Sequence, residues 1–125
     1  MVKSPFQQRM EDETPFLRTI LASYKIKLKS IGEEGTSNPV VKADINLILE
    51  KISASEEETK LSHISLSEYM ERHKEVVCQA LSLYVEGLKK SREEFYDKLE
   101  ARPEMRNLQK EIDHAGYFRA EFCAP

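Results

Sequence analysis

Apolar residues recur along this chain at intervals of three and four, the signature of helices with one buried face. Leu17, Leu21, Tyr24, Leu28 and Ile31 form one continuous stripe, widened by Phe16 and Ile20. Thr14-Pro15 supplies an N-cap and a first-turn proline. Glu11, Asp12 and Glu13 precede them, against the positive end of a helix dipole. Gly32 follows the stripe as a stop. The pattern predicts a first helix from Thr14-Pro15 to about Gly32, with residues 1–13 a flexible leader.

Asn38-Pro39 repeats the cap-plus-proline start, and Val41, Ile45, Ile48 and Ile52 carry the next stripe. A second helix is predicted to about Ser53. Strict alternation, which a strand would need, is missing from Val40 to Ile45. Ser55-Glu56-Glu57-Glu58 resembles a capping box opening a short helix, with only Leu61 and Ile64 to bury. Residues 53–65 are therefore read as a single helical turn or a loop.

Ser65-x-x-Glu68 is a second capping-box pattern, and no proline follows until Pro103. One long helix over about residues 67–101 follows, roughly 50 Å long at 1.5 Å per residue. Its stripe is Leu66, Met70, Val77, Leu81, Tyr84, Leu88, Phe95 and Leu99. Between Val76 and Val85 only Gln79 and Ser82 are polar, so this stretch should be buried on most sides and act as the hub. The second half is charged and keeps only a narrow apolar line. After Pro103, Met105, Leu108, Ile112 and Ala115 predict a last helix ending at Gly116, followed by an aromatic tail of Tyr117, Phe118 and Phe122.

The expected fold is all-α: an irregular four-helix bundle in which residues 14–125 form a single helical domain. Short connections favour antiparallel neighbours. A chain of 125 residues can bury a core of its own without a metal or disulfide staple. Its charged fraction of 33% suits helices with solvated outer faces.

Charge narrows the function. A net charge of −3 disfavours a dedicated nucleic-acid binder, whose affinity rests on phosphate neutralisation. No apolar run reaches the length that spans a bilayer, and Met1–Thr14 is too polar for a secretory signal. The expected location is cytoplasmic, or exported without an N-terminal signal peptide. Cys78 and Cys123 lack CxxC spacing and zinc-like companions, so reduced thiols are expected. Cys78, in an apolar run with no histidine one turn away, reads as packing rather than as a nucleophile.

Three constellations could carry chemistry. Glu111-x-x-His114 places a carboxylate and an imidazole on one helix face, as di-iron bundles do. Those bundles use two such motifs and this chain has one, with Glu68, Glu71 and His73 as distant candidates. The plainer reading makes Glu111 and His114 solvated, and His73 a boundary residue with one hydrogen-bonding partner. Arg18, Lys25, Lys27 and Lys29 lie on the first helix, and Lys89, Lys90 and Arg92 form a second basic cluster. Either could meet an anion or an acidic partner, although a basic face is ordinarily just solvated. The aromatics near the C-terminus must be covered, by the protein's own bundle or by a partner.

These features favour a non-enzymatic helical protein–protein interaction module. Partner binding is expected at Phe95, Leu99, Tyr117, Phe118 and Phe122, the partner being another protein or a second copy. No cofactor, metal or membrane is expected. The alternatives are a metal-binding enzyme built on Glu111 and His114, and an anion or nucleic-acid binder built on the basic face of the first helix.

Overall fold

The computed structural model describes residues 5–33, 38–60, 64–95 and 102–123. They form four helices and no strand: α1 (Pro5–Glu33), α2 (Pro39–Glu58), α3 (Leu66–Phe95) and α4 (Arg102–Phe122). The all-α four-helix bundle is therefore the fold.

Cross-helix pairs fix the directions. Arg18 meets Thr59 while Leu28 shares a groove with Ile45 and Leu49, so α1 and α2 are antiparallel. Cys78 meets Cys123 and Arg92 meets Gln109, so α3 and α4 are antiparallel. Arg9 meets Glu121 and Glu13 meets His114, so α4 also opposes α1. Hence α1 and α3 point the same way. They pack against each other, with α2 touching both, and α4 lies along α3 and reaches α1 through side chains such as Glu121 and His114.

Leu17, Ile20, Leu21, Tyr24 and Leu28 of α1 are buried, as are Tyr69, Met70, Val76, Val77, Ala80, Leu81 and Val85 of α3. Fully burying one such aliphatic side chain contributes about 1.5–3 kcal/mol. The expected hub is where α3 is most enclosed, and beyond Leu88 no described residue of α3 is buried. By contrast α2 buries only Ile45, Ile52 and Ser55.

Several boundaries differ from the sequence reading. α1 starts at Pro5 and carries Pro15 inside it, so residues 5–13 are helical rather than a loose leader. An internal proline removes one helical hydrogen bond. Here it is offset by what the extra turns bring: Met10 extends the Leu17 stripe into the core, while Arg9 and Glu13 reach α4. The Thr14 hydroxyl donates to the Met10 carbonyl instead of capping a helix. The second start is as expected: Asn38 accepts from the Val40 N–H at 2.9 Å, with Pro39 in the first turn.

The segment read as a separate turn is the end of α2, which runs to Glu58. Ser55 does not cap. It is fully buried, donates to the Lys51 carbonyl, and its own carbonyl accepts from the Tyr69 hydroxyl. Ile64 is buried, and Leu61 lies outside the described residues. The Ser65 hydroxyl caps α3 by accepting from the Glu68 N–H at 3.2 Å. The predicted stretch to residue 101 is described as helix only as far as Phe95.

Gly116 does not end α4, which continues to Phe122. Ala115, Phe118 and Phe122 prolong the Ile112 stripe and pack on the core, and that burial outweighs one glycine. The cysteines are not free thiols: Cys78 and Cys123 form a disulfide that ties the end of α4 to the middle of α3. Neither spacing nor motif marks this pair, because only the antiparallel return of α4 brings the two sulfurs together.

A thiol titration of native, unreduced protein should find no reactive cysteine. Replacing both by serine should lower the unfolding free energy by about 2–4 kcal/mol, the usual effect of opening a loop of this order. Urea denaturation of oxidised protein, reduced protein and the double variant measures it.

Candidate functional site

Of the residues expected to bind a partner, Phe118, Phe122 and Tyr117 are the ones whose side chains are described, and they face different ways. Phe118 is buried at 3% exposure, stacked between Phe16 and Phe122 at centroid distances of 5.4 and 4.9 Å. Phe122 is half-buried and carries the Arg9 guanidinium over its ring. These two aromatics therefore dock on their own bundle. Tyr117 stands 77% exposed on the opposite side of α4. The side chain of Phe95 and all of Leu99 lie outside the described residues.

Glu111 and His114 share a helix face as expected, but His114 is already occupied. Its Nε2 lies 2.9 Å from Glu13 of α1, and its ring packs on Phe16 at 4.4 Å. Burial and then Glu111 push the neighbouring Tyr84 hydroxyl above its ordinary pKa. No group of three or more His, Cys, Asp or Glu side chains among the described residues is arranged to hold a metal ion. Glu68 and Glu71 sit on α3, with no cross-helix contact to the Glu111–His114 pair.

A second polar cluster joins α2 to α3. Glu58 accepts from Arg72 at 2.6 Å, and its other oxygen lies 3.1 Å from His73 Nε2. That imidazole approach is off the line of a directed hydrogen bond. The Tyr69 ring covers His73 at 4.8 Å. Burial raises the pKa of the Glu58 carboxyl, but Arg72 and then His73 outweigh it and hold it below its ordinary value of 4.5. His73 is thus the boundary histidine with one carboxylate neighbour.

The basic face of α1 is divided by its neighbours. Arg18 donates to the Thr59 hydroxyl at 3.2 Å, and Lys25 pairs with Glu56 at 3.0 Å. Both cations serve the α1–α2 contact. Lys27 and Lys29 remain on the outer side of α1 with no ion pair to any described side chain.

Between these two lysines the structure opens a surface that sequence reasoning missed. On one side of α1 a groove of about 370 Å³ runs between α1 and α3. Its walls are Tyr24, Leu83, Tyr84 and Leu88, and among the described residues Lys27 is its only charged lining residue. The Tyr24 hydroxyl is anchored on Gln79 at 3.0 Å. Gly87 lies at the floor, where an added Cβ would meet nothing within 4 Å. On the other side a groove of about 390 Å³ runs between α1 and α2, over Leu28, Ile45 and Leu49, with Lys29 and Lys42 at its edges. Ile26 stands on the ridge between them, three residues from Ser23 in the first groove and from Lys29 in the second, and is 70% exposed.

α1 meets α4 through Arg9, Glu13 and Phe16 in its N-terminal half, whereas both grooves lie along its C-terminal half. Val40, Val41 and Ile31 are left exposed near that end. Single exposed apolar residues are ordinary on a protein surface. Two open apolar clefts flanking an exposed isoleucine are less so.

No family model, curated protein or solved structure matches this chain.

Two measurements test this geometry. Gly87→Ala should stabilise the fold by about 1 kcal/mol, because it removes the helix cost of glycine and its methyl has open space. Because the Glu58 pKa is lower folded than unfolded, its contribution is complete above about pH 4.5 and lost as pH falls through the folded value. The melting temperature of Glu58→Gln should therefore fall less steeply than that of the wild type between neutral pH and about pH 3.

Proposed function

We propose that this chain is a non-enzymatic helical interaction module, and that its docking surface is the outer face of the C-terminal half of α1 with its two flanking grooves. The observation that carries this reading is the pair of open apolar clefts on either side of exposed Ile26. Burying apolar side chains in preformed clefts is how a groove captures an amphipathic helix. The clefts lie on opposite sides of α1, and a partner helix lying along either cleft can place apolar side chains in it.

The partner is another protein or a second copy of this chain. Among the described residues no helix is long and apolar enough to cross a membrane. The Cys78–Cys123 disulfide favours an oxidising compartment over the cytoplasm, since such bonds persist where thiols are not kept reduced. It supports an exported location over a cytoplasmic one.

Gly87→Arg fills the α1–α3 groove from its floor without disturbing the core. Used as bait in an extract of its own cells, wild-type protein should retain a protein that the folded Gly87→Arg variant does not. Circular dichroism confirms folding of both baits, and light scattering shows whether the retained species is a second copy. Identical retention by the two would remove the groove from the account.

A further inference from the structure

We propose that the segment received by this surface is an acidic amphipathic helix, with apolar anchors for a cleft and carboxylates for the lysines at its edge. This rests on the docking reading above and adds the chemistry of the partner. The argument is one of charge. The chain as a whole is negative, at −3. Yet every charged residue lining the two grooves is a lysine: Lys27 in one, Lys29 and Lys42 in the other. Among the described residues no carboxylate lines either.

The contrast with the rest of the molecule sharpens this. Other hollows are mixed in charge, as where Glu71 and Glu75 stand with Arg72 and Lys74 over the disulfide. The cations elsewhere on α1 are engaged: Arg9 by Glu121, Arg18 by Thr59 and Lys25 by Glu56. Lys27, Lys29 and Lys42 come from two helices, surround the apolar clefts and pair with no described side chain. A local positive rim on a negative protein selects against like-charged partners and speeds encounter with acidic ones. A basic or neutral helix of equal apolar pattern would gain the clefts but not the rim.

The test uses two synthetic helical peptides with leucines at i, i+3, i+4 and i+7. All other positions are mainly Glu in one and Lys in the other. Binding to the intact oxidised protein is read by fluorescence anisotropy. The Glu peptide should bind, and the Lys peptide should bind at least about tenfold more weakly. Lys29→Glu with Lys42→Glu, both exposed and remote from the core, should reverse that preference. Binding of the Glu peptide should weaken as salt rises from about 50 to 300 mM.

Equal binding of both peptides would overturn the acidic assignment and leave the grooves as a docking surface. Binding of neither would overturn the docking surface too. A third arm uses vesicles of phosphatidylcholine with phosphatidylserine. Vesicle binding without peptide binding would give the lysine rim to a membrane surface and overturn the proposal.

Discussion

Water exclusion between α1 and α3 is the constraint on which this bundle depends. The two helices run in the same direction, so no short connection can join them. They are held together by the packing of Leu17, Ile20, Leu21 and Tyr24 against Val77, Ala80, Leu81 and Val85. α2 and α4 serve as the return paths, α2 touching both helices and α4 lying along α3. This explains why α2 can leave most of its N-terminal half in solvent and remain helical. It explains as well why α3 is enclosed only along the stretch that touches all its neighbours.

Polar contacts trim this arrangement rather than drive it. The Arg9–Glu121 pair is bidentate, yet both side chains are half exposed and screened by solvent, so it orients α4 more than it stabilises it. Arg9 also holds Glu121 below the ordinary carboxylate range, chiefly through its hydrogen bond. The more enclosed Glu58 cluster sits where the chain turns from α2 into α3. There Tyr69 reaches the Ser55 carbonyl, and burial lifts the tyrosine hydroxyl well above its ordinary pKa. Such fully surrounded polar groups fix the register of two helices because misplacement leaves them unpaired.

Periodicity made the helices and the hub legible, since burial of Val76 to Val85 is written in consecutive apolar positions. It failed where local grammar competed with distant contacts. Pro15 and Gly116 are ordinary helix terminators, and both are overridden because Met10 on one side and Phe118 on the other find the core. Ser55 resembles a cap and is a buried linker between helices. The disulfide was illegible because it depends on the angle at which α4 returns. The two grooves flanking α1 were illegible for the same reason. A groove is the space that side chains leave between helices, and spacing along one helix does not encode it. The aromatics expected at the interface proved to be partly core, since large apolar side chains serve either use equally well.

The disulfide has a topological consequence. It closes residues 78 to 123 into a covalent ring that holds the second half of α3, all of α4 up to its last turn, and the connection between them. A single backbone cut anywhere inside that ring opens it without separating the pieces. Fragments would stay joined through sulfur until a reductant reached the bond. The carboxyl-terminal part of this molecule is thus built to survive nicking, whereas a cut in the connection between α1 and α2 would be held by packing alone.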